Sequence, residues 1–96
     1  EGVPKDSAQA LRWFRLAADQ GEAVPQTKIA IMYDDGRGVP HDIVQAHKWY
    51  SLAATNGDKP AAELRDASAK QMTPAQIAEA QKLAHEWKPK TPSASR

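Results

Sequence analysis

The chain has 96 residues, 41% of them hydrophobic and 26% charged, with no cysteine and a formal net charge of +1. That size allows one small unit with a limited core, and the missing cysteine excludes disulfides, thiolate catalysis and cysteine-ligated zinc. The basic balance comes from the last nine residues: without KPKTPSASR, 10 basic side chains face 12 acidic ones, so the body is mildly acidic at −2 and lacks the basic face of a nucleic-acid binder.

No apolar run approaches the ~20 residues of a membrane-spanning helix, so membrane insertion is not expected. Alanine-rich segments, few β-branched residues and no alternating runs predict an all-α fold. The first predicted helix runs from about Ser7 to Gln20, after Gly2-Val3-Pro4 and an Asp6 cap, with Gln9 three residues on as a capping box. Gly21 follows where positive φ is needed. Ala10, Trp13, Phe14 and Ala17 share one face of this helix. The second helix carries Pro25 in its first turn and Ile29, Met32 and Tyr33 at helical spacing, and ends at Gly36.

The third predicted helix, Ile43 to Asn56, repeats the first. GVPKDSAQALRWFRLAADQG (2–21) and GVPHDIVQAHKWYSLAATNG (38–57) align without a gap at an offset of 36, with 11 of 20 positions identical. Asp42 and Gln45 repeat the capping box; Ala46, Trp49, Tyr50 and Ala53 repeat the core face, and Gly57 the stop. Asp58 and Pro60 open a fourth helix bearing Ala61, Leu64 and Ala67. Thr73-Pro-Ala-Gln opens a fifth, with a buried stripe of Ile77, Ala80, Ala84 and Trp87. Residues 88–96, polar and containing two prolines, form an expected disordered tail.

Helix pairs at a fixed period make an α/α solenoid, in which each repeat packs mainly on its neighbours. The expected units in the 1–87 domain are a half repeat (2–21), a full repeat (22–57), a degenerate repeat helix (58–72) and a capping helix (73–87). Because the first helix has no preceding partner in this sequence, its Trp13/Phe14 face is expected to be partly uncovered, which offers a route to self-association.

The string Met32-Tyr33-Asp34-Asp35-Gly36-Arg37-Gly38-Val39-Pro40-His41-Asp42, followed by Ala46, Trp49-Tyr50, Ala53-Ala54 and Gly57, closely resembles the Sel1-like repeat family over roughly residues 1–70. TPAQIAEAQKLAHEW resembles the capping helix that often closes bacterial members. Ala30, where the family usually has glycine, and Pro25, where it usually has alanine, are departures. The resemblance implies a TPR-like superhelix working as an adaptor or scaffold for other proteins, as in bacterial exported or envelope proteins (a periplasmic or secreted setting) and in eukaryotic complexes. It implies no cofactor and no enzyme activity. The β-lactam binding linked to a cysteine-rich bacterial branch is not carried over to a chain without cysteine.

Partner binding in such repeats is expected on the concave surface of the A helices. On the second helix the positions opposite Ile29 and Tyr33 are Thr27, Ile31 and Asp34; adding 36 gives Glu63, Ala67 and Lys70 on the fourth. Ile31 is the expected apolar anchor. The rival is a hydrolase-type enzyme or ligand-binding domain using His47 with Asp34 and Asp35. Against it, His41 and His47 replace Lys5 and Leu11 of the first repeat and stand six residues apart, where two ligands on one helical face would be three or four apart. The histidines are therefore expected at the surface or rim, with no metal. Asp34 and Asp35 are adjacent and point ~100° apart, in a helix C-terminal turn where carboxylates are electrostatically unfavourable.

Overall fold

The computed structural model describes residues 5–90, which form five α-helices: α1 (Lys5–Asp19), α2 (Ala23–Asp35), α3 (Ile43–Thr55), α4 (Lys59–Ala69) and α5 (Pro74–Glu86). The all-α expectation holds, with no strand among the described residues. Helix α3 is the hub: α2, α4 and α5 pack against it, and α1 packs against α2. Helices α2 and α3 make the complete antiparallel pair, α1 and α4 flank it, and α5 turns back across α3.

The third helix starts where its chemistry says it should. Asp42 Oδ1 accepts from the Val44 and Gln45 amides, both at 3.1 Å, which satisfies two of the unpaired amides of the first turn. The reciprocal Gln45 bond of a full capping box is not formed. Thr73 does form one: its hydroxyl accepts from the Gln76 amide (3.1 Å) and the Gln76 side chain accepts from the Thr73 amide (2.9 Å). At the other end of the chain, α1 begins at Lys5, so Asp6 sits inside the helix instead of ahead of it, and Gly2-Val3-Pro4 lies outside the described residues.

Helix α2 stops at Gly36, whose φ of 69° lies in the left-handed region. Arg37 N–H then bonds back to Met32 O (2.9 Å) and Asp42 N–H to Tyr33 O (3.1 Å), folding the DGRGVP loop tightly onto the helix end.

The core runs through Ala18 of α1, Ile29 and Ala30 of α2, and Ala46, Trp49, Tyr50 and Leu52 of α3. Small residues at Ala30, Ala46 and Ala53 let the backbones of α2 and α3 approach closely around the two large rings. Ala30, which departs from the family's glycine, is completely buried. Trp49 is fully buried at the centre. Trp87 meets it edge-on at 6.2 Å between ring centroids, and Lys48 and Arg15 lie over its ring at 4.4 and 5.5 Å.

After Trp87 the chain runs back to the end of α1. The Lys90 amide donates to Asp19 O at 2.7 Å, and its ammonium lies 3.8 Å from the Asp19 carboxylate. Residues 88–90 are therefore tied down, contrary to the disordered tail expected from 88 onward; the rest of that expectation lies outside the described residues. On α4 the expected stripe is corrected too. Ala61 and Ser68 face inward, while Leu64 and Ala67 point out, because the seam with α3 follows residues 61 and 68, one turn-pair apart.

Candidate partner-binding surface

Four buried polar pins decide which faces of the helices are free. The first is Gln26, completely buried: its amide donates to Ala18 O at the end of α1 (3.0 Å) and its carbonyl oxygen accepts from Asn56 at the end of α3 (2.9 Å). The second is Thr27, whose hydroxyl bonds to the Asp58 carboxylate at 2.5 Å and lies 3.3 Å from Ala23 O. Asp58, expected to cap α4, directs its carboxylate to Thr27 and makes no capping bond.

The third pin corrects the reading of His47, which is buried between α3 and α4 and not at the rim. Ser68 Oγ spends its one proton on Arg65 O (2.7 Å), so in the 3.0 Å bond with His47 it accepts from Nδ1–H. That fixes the neutral tautomer and leaves Nε2 buried with no partner among the described residues. Burial, with the charge of Arg65 adding to it, lowers the imidazole below its ordinary 6.5; Asp66 opposes this only in part. His41 is separate and exposed. Its Nδ1 bonds to Asp34 O at 2.9 Å, and since a carbonyl only accepts, that nitrogen carries the proton.

The fourth pin is Tyr50, whose hydroxyl donates to Asp34 Oδ2 at 3.1 Å. Burial and the Asp34 carboxylate push the phenol well above its ordinary value of 10.0. Asp34 thereby gains a donor at the helix end where the macrodipole disfavours it, which accounts for a carboxylate in that turn without any ligand. Asp35 points to solvent.

The structure thus gives His47, Asp34 and Asp35 separate surroundings. His47 donates to Ser68, whose own proton goes to Arg65 O, so the imidazole is not set as a base towards that hydroxyl, and Asp34 is bonded to Tyr50 instead of orienting His47. Among the described residues, no three His, Asp or Glu side chains are grouped to hold a metal ion, and no helix is long and apolar enough to cross a membrane.

The expected partner-binding residues separate into two groups. Thr27 is buried and committed to Asp58, so it faces inward; this corrects its assignment to an open surface. Asp34 is half-buried under Tyr50, and Ile31 packs against the core while keeping one edge open. Glu63 and Lys70 are exposed on α4. The outward stripe of α2 keeps Ile31 of the expected set but has Lys28 and Asp35 in place of Thr27 and Asp34: Val24, Lys28, Ile31 and Asp35, at i, i+4, i+7 and i+11. Its more exposed apolar member, Val24, is 55% exposed, and Leu64 on α4 is 37% exposed. The exposure of Val24 has no periodic signal, because the position opens the helix beside Pro25. Leu64 is misread because leucine in an amphipathic stripe usually points inward.

Helix α1 shows the uncovered edge that the repeat register predicts. Trp13 is 70% and Leu16 57% exposed, whereas their repeat equivalents Trp49 and Leu52 are 0% and 7% exposed. Phe14, expected on the same open face, packs against the core instead.

The comparisons agree with this geometry. No curated protein matches the chain. The family model described as Sel1 repeat matches residues 1–22 and 26–58, which are α1 with its lead-in and the α2–loop–α3 pair running to Asp58. Sel1 repeats commonly mediate protein–protein interaction, and the family is typically a non-enzymatic scaffold. With the helix pair, the Gly36 stop, the Asp42 cap and the buried Trp49-Tyr50 all in register with that match, the chain belongs to the Sel1 repeat family.

Proposed function

We propose that the protein is an interaction module that holds a segment of a partner protein against the outward faces of its A helices, α2 and α4. The observation that carries this reading is the exposure of Val24 and Leu64, one large apolar side chain on each A helix, among the charges of Lys28, Asp35, Glu63 and Lys70. A few apolar anchors ringed by polar groups is the anatomy of a modest recognition surface. Ile31 contributes its open edge, while Thr27 and Asp34 act from beneath: one fixes α2 to the start of α4, the other fixes the end of α2 to α3.

The test is affinity capture from cells of the source organism with three immobilised proteins: the wild type, Val24→Glu and Leu64→Glu, the variants first shown by circular dichroism to keep the wild-type fold. A partner retained by the wild type and lost by both variants supports the A-helix surface. Equal capture by all three refutes it. His47→Leu, which restores the residue found at the same position of the first repeat, should leave capture unchanged. Its loss with an intact fold would instead give His47 a role in binding.

A further inference from the structure

Of the helices packed on α3, α4 brings the least apolar bulk to the contact. Its two inward residues, Ala61 and Ser68, are small, and its one large apolar side chain, Leu64, points to solvent. By comparison α2 buries Ile29 and Met32, and Trp87 at the end of α5 packs on the core. A seam of small side chains withdraws little apolar surface from water and is weakly stabilised by it. Two polar contacts therefore carry much of the attachment of α4: Asp58 to Thr27 at its start, and Ser68 to His47 near its end.

The second of these contacts is sensitive to a proton. His47 is 2% exposed, and its Nδ1–H already donates to Ser68 Oγ. A further proton has to go on Nε2, which is buried with no acceptor among the described residues. The charges that bear on the ring, Arg65 and Asp66, both come from α4, and the repulsion from Arg65 outweighs the attraction of the largely exposed Asp66. On α3 itself, Lys48 lies over the Trp49 ring and the Tyr50 hydroxyl is bonded to Asp34 of α2, so neither answers the imidazole. A buried cation with an unpaired N–H is strongly disfavoured, and water reaches it when α4 swings aside. The register shows that this seam need not be polar. The residues 36 earlier, Leu11 and Met32, are both apolar; one packs against the core and the other is buried.

We infer that α4 is a latch released by a proton: uptake at His47 Nε2 frees the Ser68 end of α4, which swings about its Asp58–Thr27 anchor and carries Glu63, Leu64 and Lys70 away from α2. A surface shared by α2 and α4 comes apart when α4 leaves, so mild acid would release whatever the two helices hold together. That consequence rests on the A-helix reading above; the latch itself does not.

Hydrogen exchange of the intact chain, followed by NMR at pH 7.5 and 5.5, reads the latch without any partner, over a span in which histidine is the side chain whose ordinary pKa is crossed. Protection factors remove the intrinsic pH dependence of exchange. The amides from Glu63 to Ala69 should be less protected than those of α3 at both pH values, because α4 opens on its own. On acidification they should lose up to about tenfold, the ceiling for one proton taken up by a histidine that is ordinary in the opened state. His47→Leu should abolish that loss; His47→Gln, whose amide can still donate to Ser68, is the second variant should His47→Leu not fold. His41→Gln and His85→Gln, at exposed positions, should keep the loss. The latch is overturned by α4 protection equal to that of α3, by no loss in acid, by a loss that persists without His47, or by one that vanishes with His41 or His85. Failed capture on the A helices would leave these exchange results standing, so the two readings fail separately.

Discussion

Trp13 and Trp49 occupy the same position of successive repeats, and the structure predicts opposite consequences for truncating them. Trp49 is fully buried, with Trp87 on its edge and two cations over its ring. Its indole N–H has no partner among the described residues, so Trp49→Ala breaks no hydrogen bond and the loss is one of packing. Truncating a buried tryptophan costs about 3–5 kcal/mol, against about 5–15 kcal/mol of total stability for a domain of this size. At roughly 4–8 °C per kcal/mol, Trp49→Ala should lower Tm by about 12 °C or more, or unfold the protein outright. Trp13→Ala removes a side chain that is 70% exposed and should cost less than about 0.5 kcal/mol, a shift within about 4 °C. Urea and thermal unfolding followed by circular dichroism, in parallel on the two variants, measure both. Similar losses would refute the reasoning, because Trp13 would then have to be covered in solution.

Acidification should act through His47. Its folded pKa lies below 6.5, the unfolded value; above that pH both states are neutral, and below it the unfolded chain takes up a proton first. Stability should therefore fall as pH drops from about 7 towards 5, with a slope of at most about 1.4 kcal/mol per pH unit. His47→Leu should flatten the urea midpoint over that range, and an unchanged slope would refute the assignment. Tyr50→Phe leaves half-buried Asp34 without its phenolic donor and should cost about 1–3 kcal/mol, read from denaturant midpoints. Gly36→Ala places a side chain at φ 69° with its Cβ 3.3 Å from that of His41. It should destabilise by about 1–2 kcal/mol, whereas Gly57→Ala, with open space around it, should incur the backbone strain alone.

What the sequence makes legible is whatever the 36-residue register states twice or local chemistry states once. The stops at Gly21, Gly36 and Gly57, the Asp42 cap and the Thr73–Gln76 box belong to this kind. Burial does not, since it depends on what lies across from a residue. The pattern around Trp13 is the same as around Trp49, yet one ring is open and the other enclosed. Gln26 gives no signal at all: its repeat equivalent is Ala62, and a glutamine beside a proline at a helix start reads as surface. His47 did have one. Its equivalent is Leu11, and leucine at a repeating position marks an inward-facing site, so the histidine there was more informative as a substitution in a core than as half of a pair with His41. Thr27 shows how narrow the margin is on a helix. One residue of phase, about 100°, separates it from the exposed Lys28.

The return of the chain from Trp87 to Asp19 changes how this molecule should come apart. An open array of helix pairs frays from its ends, each unit leaving almost independently of the rest. Here the Lys90 amide is fastened to the last carbonyl of α1, and Trp87 lies beside Gly21 as well as Trp49. The first and last helices are thereby linked across some seventy residues of sequence, and neither end can leave without loosening the other. Closing so long a loop slows folding, and the link favours the two helices coming apart together over fraying one at a time.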